Sequence, residues 1–265
     1  MSIFRTIEIS NPLFEWNNLR FITVKSRNLK GRGDICVYVP EGNEQRDLPI
    51  AILLHGVYGS SWSWALSGGA HETAQKLIDN HAIKPMVLVM PSDGLWGDGS
   101  SYTEHNGLNF EKWIVEDVIQ AVKESVSQVK ESKKIFIAGL SMGGFGALRI
   151  GAKYGNIFNA ISGHSSITNM DQMSLFVEEE LTNYRQVNAE DESVLKTILK
   201  NKNGLPPLRF DCGKKDLLLN YNRSLAKDLL KHNIHHIYEE FDGEHEWNYW
   251  QKHLKESLVF FNVQI

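Results

Sequence analysis

The sequence predicts an α/β protein, a three-layer sandwich with a mostly parallel central sheet. Short, uninterrupted apolar runs recur from residue 49 onward, which is how strands covered on both faces read. Helical patterns with apolar residues three and four apart lie between them. One of the runs ends in a serine fenced by glycines, "FIAGLSMGGFGALRIGA", where a strand turns sharply into a helix.

The elements follow in order. "FRTIEIS", "RFITVKS" and "DICVYVP" alternate apolar and polar residues and predict antiparallel strands at one edge of the sheet. They are separated by "NPLFEWNN" and by "NLKGRGD", whose glycines suit a tight turn. "PIAILLH", "PMVLVMP", "KKIFIAG", "NAISGH" and "PPLRFDC" are the buried strands. "HETAQKLIDNH", "FEKWIVEDVIQAVKESVSQV", "GGFGALRIGAKYG" and "NRSLAKDLLKHN" are the helices between them. From about residue 165 to 204 the rhythm breaks. "DQMSLFVEEELTNY" and "DESVLKTILKNK" predict two short helices forming a small helical cap inserted into one domain spanning 1–265.

Bulk properties exclude several classes of function. The formal net charge of -4 comes from mixed charges without a long block of one sign, so nucleic acid and anionic membrane surfaces are not expected partners. "MSIFRTIEIS" lacks the features of a secretory signal, and no run approaches the ~18 apolar residues of a membrane span. A cytoplasmic location is the expectation. Cys36 and Cys212 sit in strand-like contexts without metal-ligand spacing, as reduced core residues do.

The chemistry centres on Gly139-Leu140-Ser141-Met142-Gly143, a G-x-S-x-G turn that would expose the serine hydroxyl above the sheet. A serine hydroxyl is a weak nucleophile unless a base takes its proton, so a histidine and an orienting acid must follow. His245, in "FDGEHEWNYWQKHL", stands between an extended run and the last helical pattern and is the favoured base. His235, His236 and His253 read as surface or packing residues. For the acid, "PPLRFDCGKKDLLLNYN" offers Asp216 in a loop and Asp211 at the strand end, with Asp242 as an outside candidate. Asp216 is favoured because Gly213 permits a turn back toward His245, while Asp211 would brace that loop.

Acyl transfer also requires donors where negative charge develops. The amide of Met142 supplies one, and "AILLHGVYGSSWSW" supplies a second at Val57, with His55 structural. Tyr58, Trp62, Trp64, Trp96, Tyr102 and Trp247 crowd the loops around the site. Tyr58, Trp62, Trp96 and Trp247 are the candidate substrate contacts. "SDGLWGDGS" lacks the dense oxygen-ligand pattern of a calcium loop, and neither a metal nor a cofactor is expected.

"LLHGVYG", "GLSMGGFGAL", "LPPLRFDCGKKDLL" and "GEHEWNYWQKHL" together resemble the Putative esterase family of α/β-hydrolases. That family includes S-formylglutathione hydrolase, tributyrin and feruloyl esterases and the antigen 85 mycolyltransferases. The resemblance covers most of the chain and is nearest to the small bacterial esterase branch. "LLHGVYG" departs from the Gly-Leu-Thr-Cys character of the S-formylglutathione hydrolase branch. Carried over motif by motif, the resemblance implies Ser141 as nucleophile, Asp216 as acid, His245 as base, and Val57 and Met142 as oxyanion donors. It implies a serine carboxylesterase acting on a small-molecule ester with a short acyl chain and a sugar or aromatic alcohol, and it allows a homo-oligomer. A thioesterase, an acyltransferase to a sugar hydroxyl and a non-catalytic binding module are the rival expectations.

Overall fold

The computed structural model describes residues 2–41 and 47–265. The strands are β1 (Ile7–Ile9), β2 (Leu19–Ser26), β3 (Gly31–Tyr38), β4 (Ile50–Leu54), β5 (Val87–Pro91), β6 (Glu104–His105), β7 (Leu108–Asn109), β8 (Ile135–Leu140), β9 (Ala160–His164), β10 (Leu208–Gly213) and β11 (Ile237–Phe241). The helices are α1 (Ser63–Leu66), α2 (Ala70–Asp79), α3 (Phe110–Lys112), α4 (Ile119–Ser125), α5 (Met142–Lys153), α6 (Val194–Lys200), α7 (Leu219–Lys231) and α8 (Trp247–Asn262).

The main sheet runs β1-β2-β3-β5-β4-β8-β9-β10-β11, and β6-β7 form a separate small hairpin. β1, β2, β3 and β5 pair antiparallel, and every pairing from β5 through β4, β8, β9 and β10 to β11 is parallel. The antiparallel N-terminal edge is thus where the alternating pattern puts it.

The apolar runs have a direct cause. Ile50, Ile52 and Leu54 face a core layer built on α4, α5 and α7, while Ala51 and Leu53 face a second layer built on α1, α2 and α8. Val87 and Val89 against Leu88 and Met90 divide the same way, as do Ile135 and Ile137 against Phe136 and Ala138. With both faces of these three strands dry, their side chains are apolar throughout, and each large side chain buried contributes about 2 kcal/mol.

Two segments differ from expectation. The pattern read as one helix over 110–129 is α3, a π-helical stretch over Trp113–Val118, α4 and a 3-10 turn over Ser127–Val129. Within the π-helical stretch the consecutive Trp113, Ile114 and Val115 are all buried. Between β9 and β10 the first of the two expected helices, over 171–184, is instead 3-10 turns at Met170–Leu175 and Leu181–Tyr184, and a further turn at Ala189–Glu192 leads to the second. Glu178 and Glu179 bond across to the loop after β5 by backbone and side chain, which a continuing helix would preclude. The second is α6, capped by the Ser193 side chain accepting from the Lys196 amide. Among the described residues, no helix is long and apolar enough to cross a membrane.

Candidate active site

β8 ends at Leu140 and α5 begins at Met142, so Ser141 occupies the turn alone, at φ 54° and ψ -120°. That conformation costs a non-glycine residue about 1–3 kcal/mol and persists only where the surroundings hold it. Here the Ser141 amide donates to the His164 carbonyl at 3.0 Å, and the Ser141 carbonyl accepts from Ile167 at 3.1 Å. The flanking glycines are required by proximity. A β-carbon on Gly139 would lie 2.1 Å from the Gly143 carbonyl oxygen, and one on Gly143 would lie 2.3 Å from that of Leu54.

Two further loops meet the serine. Asp216 lies just past β10 and His245 in the loop between β11 and α8. His245 Nδ1 is 2.9 Å from Asp216 Oδ2, and His245 Nε2 is 2.9 Å from Ser141 Oγ. Because a buried carboxylate only accepts, Nδ1 carries the proton and Nε2 faces the serine hydroxyl as an acceptor. Asp216 is fastened in turn by the Leu218 amide, which donates to Oδ1 at 2.8 Å. Phe176 stacks on the imidazole at 5.0 Å and Trp250 meets it edge-on at 5.0 Å. A hydroxyl so placed can lose its proton to the ring as it attacks an electrophilic carbonyl.

The turn after β4 lies alongside. A β-carbon on Gly56 would fall 3.3 Å from Ser141 Cβ and 3.7 Å from its Oγ, so the backbone leading to Val57 passes directly beside the hydroxyl. Among the described residues, no acceptor within the chain takes the Val57 amide, and Met142 opens a helix whose first amides have no intrahelical acceptor. His55 is buried beneath this turn. Its Nδ1 donates to the Gly56 carbonyl at 2.6 Å and its Nε2 accepts from the Asp93 amide at 3.0 Å, a bracing role as expected.

The remaining candidates divide. Asp211 does not brace the loop of Asp216. It is fully buried on the sheet, 2.9 Å from His164 Nδ1 and from Arg209 Nη1, and it accepts from the Tyr249 hydroxyl at 2.8 Å. Burial works against its charge, but the charges of His164 and Arg209 and these hydrogen bonds outweigh it and hold the carboxyl below its ordinary range. Asp242 is exposed and pairs with Lys214. His253 is buried and stacks on Phe241 at 4.3 Å, while His236 stacks on Phe210 at 5.5 Å.

Of the aromatics, Trp64 and Tyr102 are core residues: the Trp64 indole donates to the Leu54 carbonyl and the Tyr102 hydroxyl to that of His55. Tyr58 and Trp62 stand 68% and 45% exposed. Trp96 packs edge-on against His105 at 4.6 Å and Tyr184 at 5.5 Å. Trp247 packs against Trp64 at 5.8 Å and Trp250 at 5.3 Å. Phe176 escapes sequence reasoning, since nothing local distinguishes it from other apolar residues of its segment. Trp250 could have been found, because it lies five residues beyond His245 at the start of a helix.

Comparison with known proteins bears on the family and the fold. The family described as "Putative esterase" matches residues 26–261. An acetyl esterase of Caldicellulosiruptor saccharolyticus is 27% identical over 237 residues, covering 83% of this chain and 85% of that protein. A ferulic acid esterase structure superposes with a TM-score of 0.80 at 22% identity, covering 98% of this chain and 100% of that one. An S-formylglutathione hydrolase of Staphylococcus aureus superposes with a TM-score of 0.77 at 18% identity, covering 97% of this chain and 99% of that one. At such identities the superpositions speak for the fold, while the family match covers nearly the whole length. The chain belongs to the Esterase family and is a carboxylic ester hydrolase.

Proposed function

We propose that this chain hydrolyses short-chain acyl esters through Ser141, His245 and Asp216 by way of an acyl-enzyme. Ser141 Oγ attacks the ester carbonyl carbon while its proton passes to His245 Nε2, and the carbonyl oxygen becomes an oxyanion between the amides of Val57 and Met142. Asp216 keeps the proton on Nδ1 and stabilises the imidazolium. Collapse of the tetrahedral adduct expels the alcohol, which takes the proton from Nε2. Water then repeats the sequence on the acyl-enzyme, with His245 again as base, and releases the acid and the free serine.

The observation that carries this reading is the continuous hydrogen-bonded series from Asp216 through His245 to Ser141, at 2.9 Å in each step. The acetyl esterase relative supports a small acyl group. We assign Tyr58, Trp62, Trp96 and Trp247 to the walls of the alcohol side, and the segment from about 165 to 204 to a cap over it. The cytoplasmic location read from the sequence belongs to the same proposal.

Replacing Ser141 by Ala is expected to lower turnover of p-nitrophenyl acetate by about 10⁴-fold or more. Retention of most of the activity overturns the assignment. A panel of acetyl, butyryl and aryl esters, thioesters and sugar acceptors run with the same variant identifies the preferred acyl group and leaving group.

A further inference from the structure

The loop after β5 takes positive φ repeatedly, at two glycines and at three residues that are not glycine. Gly94, Leu95, Gly97, Ser101 and Tyr102 have φ of 102°, 55°, 53°, 54° and 54°. Non-glycine residues hold such values only where contacts over-determine them, and such strain clusters where geometry serves function. Part of the holding is internal, since the Asp93 carboxylate accepts from the amides of Leu95 at 2.9 Å and Ser100 at 2.7 Å.

The rest passes through Asp98. Its carbonyl accepts from the Tyr58 amide at 2.8 Å, fixing the turn in which Tyr58 itself sits at φ 54°. On its other side, the Asp98 amide donates to Glu179 Oε1 at 2.8 Å, and Asp98 Oδ2 accepts from the Glu178 amide at 2.6 Å. Glu179 is held in turn by the Tyr184 hydroxyl at 3.2 Å. Two residues before Glu178, Phe176 stacks on His245. The segment 176–184 therefore touches the imidazole directly and reaches the turn carrying the Val57 amide through one aspartate.

We infer that Asp98 is a positioning residue, clamping the Gly56–Gly59 turn to the segment 176–184 so that the Val57 amide is held where the oxyanion forms. The inference rests on the proposed roles of Ser141 and Val57. It makes the segment between β9 and β10 part of the apparatus that sets reaction geometry, beyond any role in covering substrate. The physical reason is that an oxyanion donor works by preorganisation. Deleting one such donor lowers kcat by about 10²–10³-fold, so loosening one should have a smaller effect of the same kind.

Asp98→Ala removes the acceptor for the Glu178 amide, whereas Asp98→Asn retains an oxygen there. With p-nitrophenyl acetate, Asp98→Ala is expected to lower kcat about 10-fold with KM within about 2-fold, and Asp98→Asn to stay within about 3-fold of the parent. The Ki of an alkyl trifluoromethyl ketone, whose serine adduct carries the oxyanion, should rise in Asp98→Ala by the factor lost in kcat/KM. Glu179→Ala, on the far side of the clamp, should reproduce the pattern and serves as the test if Asp98→Ala does not fold. An unchanged Ki in the folded variants, or a kcat loss that tracks only a lowered Tm and disappears on cooling, overturns the inference. Failure of the underlying reading looks different, because Ser141→Ala would then remain active.

Discussion

A β-carbon on Gly213 would lie 2.6 Å from the carbonyl oxygen of Gly243. The loop that carries Asp216 crosses the loop that carries His245 at this point, and the Gly243 carbonyl also accepts from the Lys215 amide at 3.0 Å. Gly213→Ala must push the two loops apart and lengthen the 2.9 Å contact between Asp216 and His245. A displacement approaching 1 Å at reacting groups lowers rates by roughly 10²-fold, so we expect a kcat at least about 10-fold lower, with KM little changed. Steady-state kinetics on p-nitrophenyl acetate read this directly, and parental kcat would contradict the account of the crossing.

Asp216→Asn and Asp242→Asn separate the acid from its neighbour. The first leaves an amide that can stabilise the wrong imidazole tautomer, and kcat is expected to fall by about 10³–10⁴-fold. The second removes an exposed ion pair with Lys214 and should leave kcat within about 2-fold. Equal effects in the two variants would displace Asp216 from its role.

The acid stability of the fold should depend on His253. Its ring is buried between Phe241 and Tyr249, and among the described residues neither nitrogen has a hydrogen-bond partner. Burial disfavours the charged ring and lowers its pKa to about 4. The unfolded chain takes up this proton near pH ~6.5 and the folded chain only near its lowered value, so the folded state loses stability as pH falls through that interval. The loss is on the order of 3 kcal/mol by pH ~4. Denaturant unfolding at pH 7 and pH 4.5 should show a smaller difference in His253→Phe than in the parent. Equal differences would mean that another group carries the dependence.

The thiols should be silent in the native state. Burial pushes Cys36 up to about 12 and raises Cys212 well above the ordinary thiol range, so little thiolate forms at pH 8. Ellman's reagent is expected to find both only after unfolding in guanidinium. Prompt reaction of either in the folded enzyme would contradict its placement in the core.

The strands β4, β5 and β8 were legible as unbroken apolar runs because both their faces meet apolar layers. The meeting of Ser141 and His245 was legible because a serine at a strand-to-helix turn and a histidine in the loop before the last helix both lie at strand ends of one sheet. Asp216 could be preferred, but the reading of Asp211 as a loop brace was wrong. Its partner His164 is brought alongside by strand pairing between β9 and β10, which spacing does not reveal, and Arg209 shares its face of β10 two residues before it. Gly213 was singled out for turning, whereas what it provides is close approach to Gly243. The segment between β9 and β10 misled most. Its apolar spacing suggested a helix before α6, yet the chain there forms 3-10 turns and Phe176 ends stacked on the imidazole, a contact between residues 69 positions apart in sequence.

The site of covalent trapping tests the proposed reaction most directly. Treated with a fluorophosphonate, the enzyme should lose esterase activity in step with the gain of one phosphonyl adduct. Peptide mass spectrometry should place the adduct on Ser141 and find none in Ser141→Ala. Full inactivation with the adduct on another residue, or an unmodified Ser141 in the inactivated enzyme, would contradict the assignment of Ser141 as nucleophile.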